Sequence, residues 1–129
     1  MILVLKTDAP EVYVALFQDG QETVVRNWEA GRELSMQLLP AIESLCQECD
    51  AKLVDLKGIV VFHGPGSYTG LRISVSTANA IGSSLRIPVI GTGSESWLDD
   101  GLKGLSKLPG FVPVTVLYSS EVHTTKPRK

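Results

Sequence analysis

The chain has 129 residues, 43% of them hydrophobic and 20% charged, which is enough for one core of ordinary size and excludes disorder for its bulk. Its formal charge of -2 excludes a strongly basic nucleic-acid binder, and no apolar run approaches the length of a membrane span. The opening Met1-Ile2-Leu3-Val4-Leu5 lacks the charged lead and cleavage site of a secretory signal, so the expected location is the cytoplasm.

The first three predicted elements are short runs rich in Val, Ile, Leu and Tyr, at residues 2–6, 12–17 and 22–27. Turn chemistry separates them, Asp8-Ala9-Pro10 and then Asp19-Gly20, so they read as a three-stranded antiparallel meander. After Gly31 the pattern changes to Leu34, Leu38, Ile42, Leu45 and Cys49, the stripe of an amphipathic helix. Pro40 inside it removes one backbone hydrogen bond and predicts a bend. Near its end Cys46 and Cys49 form a lone Cys-x-x-Cys. A zinc site needs two further ligands, and a redox pair belongs at a helix start, so both read as free thiols and no metal is expected.

The run 58–62, Gly-Ile-Val-Val-Phe, is apolar without alternation, as in a central strand covered on both faces. A second helix is predicted from about 69 to 85, a strand over 87–90, a weak helix over 94–105 with Ser94 as N-cap, and a last strand over 112–118. This order predicts an α/β domain with a mixed sheet and helices on its faces. Between Asp19 and Asp50 seven acids outnumber two bases, whereas Lys126, Arg128 and Lys129 put three positive charges on the last four residues. Residues 121–129 read as a basic, solvated tail that offers at most a few phosphate contacts to RNA.

Two features bear on function. The second helix has no charged residue between Arg72 and Arg86, and its polar positions are small: Ser74, Ser76, Thr77, Ser83 and Ser84. A helix on the outer layer of so small a domain is expected to show water one charged face, so a partner is expected to cover this one. The other feature is the strand-to-helix loop Gly64-Pro65-Gly66-Ser67-Tyr68-Thr69-Gly70-Leu71-Arg72. Its three glycines suit close approach to an anion at a helix start, but they fit neither the dinucleotide fingerprint nor the P-loop. The plainer reading is that they permit a tight turn and close helix packing.

That loop resembles the GPGSFTGLR signature of the TsaB family, the non-catalytic partners in bacterial synthesis of threonylcarbamoyladenosine on tRNA. The resemblance extends to Ile2-Leu3-Val4-Leu5-Lys6-Thr7-Asp8, Glu29-Ala30-Gly31-Arg32, Leu38-Leu39-Pro40 and Ile87-Pro88-Val89-Ile90-Gly91 with Ser94, or about residues 2 to 100. It implies a ribonuclease-H-like lobe of the actin, Hsp70 and sugar-kinase (ASKHA) fold, here over residues 1–120, with the family's usual second lobe missing. It further implies pairing with a TsaD-type transferase through the first two helices. Carried onto this sequence, that surface is Leu34, Leu38, Ile42, Leu45, Ile73, Thr77, Ala80, Ile81 and Ser84. A TsaE-type ATPase would dock on the pair, and a homodimer would form when the partner is absent.

Departures from the pattern point away from catalysis. Where ATPases of this superfamily end the first strand on an acid, this chain has Lys6. The His-x-x-x-His metal pair of the catalytic relative has no counterpart between Leu34 and Leu38. The resemblance therefore implies no catalytic residue, no metal and no cofactor on this chain, with ATP and metal on the TsaD-type partner. The alternative is a small nucleotide-binding or ATPase-like protein with Thr7, Asp8, Ser67, Thr69 and Arg72 around a phosphate and His63 as its one candidate base.

Overall fold

The computed structural model describes residues 1–66 and 68–117. Five strands form one sheet in the order β3-β2-β1-β4-β5, with β1 Ile2–Lys6, β2 Glu11–Gln18, β3 Gln21–Glu29, β4 Gly58–Phe62 and β5 Val89–Thr92. Strands β1, β2 and β3 are the antiparallel meander, with Ile2 opposite Phe17 and Lys6 opposite Tyr13. Asp19 and Gly20 both take positive φ in its tight second turn, as Asp-Gly hairpins require. Strands β4 and β5 then add in parallel, Leu3 beside Ile59 and Ile59 beside Val89. All five residues of β4 are buried, which is why that strand shows no alternation.

Helices α1 (Leu34–Glu48) and α2 (Tyr68–Leu85) cover one face of the sheet, and α3 (Trp97–Leu105) covers part of the other. The larger core joins Leu3, Leu5, Val12, Val14, Leu16, Ile59 and Val61 of the sheet to Leu34, Leu38, Ile42 and Leu45 of α1 and to Val75, Ala78 and Ile81 of α2. The smaller one gathers Val4, Ala15, Phe17 and Val60 under Leu105. The alternation along β1 thus sends Leu3 and Leu5 to one core and Val4 to the other.

The predicted boundaries shift in three places. Strand β5 begins two residues later than expected, although Pro88 already offers its carbonyl to the Ile59 amide at 3.0 Å. Helix α3 starts at Trp97, and Ser94 does not cap it: the hydroxyls of Ser94 and Ser96 both donate to the Asp100 carboxylate, at 3.3 and 2.9 Å. The last predicted strand is not a strand over 112–117, and Tyr118 lies outside the described residues, as does the basic tail.

The segment 111–117 is instead an extended strap packed along α2. Asn79 holds it by donating to the Val114 carbonyl and accepting from the Val114 amide, both at 2.9 Å, and the Leu117 amide donates to the His63 carbonyl at 2.7 Å. Phe111, Val114 and Val116 pack against the larger core. One side chain therefore meets the hydrogen bonds that a neighbouring strand would supply. Asn79→Ala strands both Val114 groups and is expected to cost about 2 kcal/mol, lowering Tm by roughly 6 to 10 °C. Calorimetry checks the size, and a faster-exchanging Val114 amide checks the cause.

Candidate functional site

The signature loop connects β4 to α2 at the carboxyl ends of β1, β4 and β5, where ligands bind in many open α/β sheets. Its glycines are accounted for by close contacts within the chain itself. Gly64 has φ +118, and a Cβ there would run into the Leu117 carbonyl oxygen of the strap. A Cβ on Gly66 would stand 3.0 Å from Asp8 Cβ, and one on Gly70 would strike the Thr7 carbonyl oxygen. Thr7 is 1% exposed, and its Oγ1 donates to the Gly70 carbonyl at 2.7 Å, tying the end of β1 to the first turn of α2. Of the two readings of the loop, close packing is the one these contacts favour. Ser67 and the Tyr68 side chain lie outside the described residues.

Around this loop the chemistry is committed internally. Lys6 Nζ donates to Asp8 Oδ1 at 2.5 Å and lies 4.6 Å from the centroid of the Phe62 ring. Phe62 meets Trp97 edge to face at 5.7 Å, and Trp97 meets Tyr13 likewise at 6.3 Å. Burial, then the hydrogen bond to Glu22 and that residue's charge, hold the Tyr13 phenol far above its ordinary pKa, so it remains a donor to Glu22 Oε1 at 2.7 Å. A cation therefore stands where a nucleotide-bound magnesium would need a carboxylate, with the nearest carboxylate already paired to it. These residues do not fit a magnesium nucleotide.

His63 is bonded through its backbone, its amide to the Thr92 carbonyl and its carbonyl to the Leu117 amide. Its ring stacks against Gly91, where a Cβ would come within 2.6 Å of Nδ1. No described side chain orients that ring, so the triad logic of an activated base is not met. Cys46 is buried, and desolvation first, then the nearby Cys49, pushes its thiol pKa up, the behaviour of a packing cysteine. No group of three or more metal-ligating side chains occurs among the described residues.

The expected pairing surface divides in two. Leu34, Leu38, Ile42 and Leu45 do not face outward: each is at most 3% exposed and lies in the chain's own core. Ile81 is likewise 6% exposed. The physical reason is that a helix laid on a sheet buries its cleanest apolar stripe against that sheet. Ile73 and Thr77 are half-exposed, and Ala80 and Ser84 are exposed with Ser76 and Ser83. On α1 the outward positions are Met36, 75% exposed, and Leu39, 42% exposed, beside Pro40. Both apolar residues fall off the Leu34 to Leu45 stripe, and that displacement was the sequence signal for them.

Between the two helices runs an open groove of about 390 Å³ lined by Ser35, Thr69, Arg72, Ile73, Ser76 and Thr77. It continues into a smaller hollow of about 210 Å³, which shares Thr69 and Ile73 and reaches Pro10 and Gly31. The outer face of α2 is therefore uncharged apart from Arg72 at its upper end, while α1 adds the exposed Glu43 and Glu48. Among the described residues no helix is long and apolar enough to cross a membrane.

Comparison with known proteins bears on this arrangement. The protein-family model described as TsaD, tRNA N6-adenosine threonylcarbamoyltransferase, matches residues 26–114. The chain is 38% identical over 90 residues to the tRNA threonylcarbamoyladenosine biosynthesis protein TsaB of Bacillus subtilis, and 32% identical over 91 residues to TsaB of Escherichia coli. Those matches take in 68% and 70% of this chain but 38% of each relative, so the chain spans well under half their length. The solved structure of YeaZ from Pseudomonas aeruginosa superposes with a TM-score of 0.66 at 27% identity, over 71% of this chain and 43% of that one. The mixed sheet with its covering helices is thus an ASKHA-type fold, and the chain belongs to the TsaD family of threonylcarbamoyladenosine-biosynthesis proteins, within its TsaB branch.

Proposed function

We propose that the chain is a non-catalytic subunit in the synthesis of threonylcarbamoyladenosine on tRNA. It pairs with a TsaD-type transferase through the outward faces of α1 and α2, and leaves ATP and metal to that partner. The observation that carries this reading is the outward face of α2, without charge beyond Arg72, with half-exposed Ile73 and exposed Ala80 and Ser84, together with the exposed Met36 and Leu39 of α1. Small residues let a partner's backbone approach closely, and the two exposed apolar side chains supply contact area. In this reading a TsaE-type ATPase docks on the assembled pair, a homodimer uses the same face when the chain is alone, and tRNA contact is indirect or through the basic tail.

Light scattering on the chain mixed with the TsaD-type protein of its organism tests this, with a one-to-one complex expected. Ala80→Asp adds a carboxylate at an exposed position, so the monomer keeps its Tm while affinity for the partner falls by roughly a hundredfold or more. A chain that never pairs, or an Ala80→Asp variant that pairs as tightly as the original, overturns the proposal.

A further inference from the structure

Several polar side chains of this surface are paired with one another. Tyr13 meets Glu22, Trp28 meets Gln37, Arg26 meets Ser44 and Glu48, Lys6 meets Asp8, and Ser94 and Ser96 meet Asp100. The groove between α1 and α2 gathers polar groups that are not. Its four hydroxyls, on Ser35, Thr69, Ser76 and Thr77, and the Arg72 guanidinium all line one concavity, and none of them hydrogen-bonds to a described side chain or carbonyl.

Charge is divided across the same face. Helix α2 carries Arg72 and no acid, while α1 carries Glu43 and Glu48 and no base, and Glu48 is taken by Arg26. No carboxylate lines the groove. No described acid pairs with Arg72, so its guanidinium is open to a carboxylate from outside.

We infer that the TsaD-type partner seats an aspartate or glutamate carboxylate on Arg72, ringed by these four hydroxyls, and that this ion pair sets the register in which the two helical faces meet. The inference rests on the pairing reading above and adds the chemistry of the partner. A guanidinium fork holds a carboxylate through two parallel hydrogen bonds. The hydroxyls satisfy its remaining lone pairs when water is excluded, and the half-exposed Ile73 beside Arg72 receives the apolar stem of the same side chain.

The test is titration calorimetry of the full chain against the TsaD-type protein at low and high salt, with Arg72→Gln and Arg72→Lys as variants. Arg72 is exposed, so both fold as the original does. Arg72→Gln is expected to lose roughly tenfold to a hundredfold in affinity at low salt and to flatten the salt dependence. Arg72→Lys regains only part of the loss, because a point charge does not reproduce the fork. An Arg72→Gln variant that pairs like the original at both salts overturns the inference and leaves pairing standing, whereas an original chain that does not pair overturns both. Two further outcomes also sink it: Arg72→Gln abolishing binding of inorganic phosphate while pairing persists, which assigns the groove to a phosphate, or dissolving a homodimer alone, which assigns it to a second copy.

Discussion

Leu38→Asp is expected to unfold this protein rather than to detach it from a partner. The side chain is 1% exposed and sits among Leu3, Leu5, Ile42 and the other large aliphatics of the major core. Aspartate there removes most of the buried apolar volume and adds a carboxyl group with no hydrogen-bond partner in reach. The first effect alone costs what a leucine truncation costs, and the second adds the desolvation of a polar or charged group. Together they are expected to remove about 5 kcal/mol, a large part of the 5 to 15 kcal/mol available to an ordinary domain. Urea unfolding followed by near-ultraviolet circular dichroism reads this directly, as a midpoint near zero denaturant. A variant as stable as the original would mean that α1 turns another face to the sheet. Ala80→Asp is the counterpart, with the same charge introduced on the outward side of the neighbouring helix, and there the fold is expected to survive and the pairing to fail.

The contrast between those positions explains how far the sequence could be read. Runs rich in Val, Ile, Leu and Tyr between Asp-Ala-Pro and Asp-Gly turns locate the meander, an unbroken apolar run locates β4, and the Leu34 to Leu45 stripe locates α1. The family resemblance puts that stripe on the pairing surface, and the sequence alone does not separate a core-facing apolar stripe from an outward one. The sheet takes the cleaner of them, and what remains outward is the fragment Met36 and Leu39. On α2 nearly every position is small, so Ala80 and Ile81 were not separable by residue type, although adjacent residues on a helix point about 100° apart. The strap fails for another reason. Alternate Val112, Val114 and Val116 have the period of a strand, yet their backbone partner is the side chain of Asn79, 35 residues away, and no local pattern reveals that. The glycine loop was legible as a place of close approach. What approaches it, the end of β1 and the carbonyl of Leu117, is visible only in three dimensions.

Gly70→Ala separates the two explanations of that loop. If the signature glycines serve packing, the added methyl meets the Thr7 carbonyl oxygen, which cannot retreat easily because Thr7 is buried at the end of β1 and its own hydroxyl is bonded to Gly70. Helix α2 must then lift from the strand, loosening that hydrogen bond and the contacts of Leu71 and Val75 beneath it. Overpacking against backbone together with one weakened buried hydrogen bond is expected to cost about 3 to 4 kcal/mol. Alanine's better helix propensity returns at most about 1 kcal/mol of this. Thermal unfolding measures the loss, and titration with ATP or inorganic phosphate measures whether anything else changed. A drop in Tm with no ligand effect places the motif in the fold, as the join between the first strand and the helix that faces the partner. An unaltered Tm with a lost phosphate affinity would instead make the glycines a ligand cradle. The packing explanation also predicts that Gly64→Ala behaves like Gly70→Ala, since Gly64 combines a left-handed backbone with a carbonyl in the same kind of contact. By contrast Gly110, which has open space around it, should accept alanine with little change. The order of the three variants in stability therefore reports on the role of the signature independently of any activity.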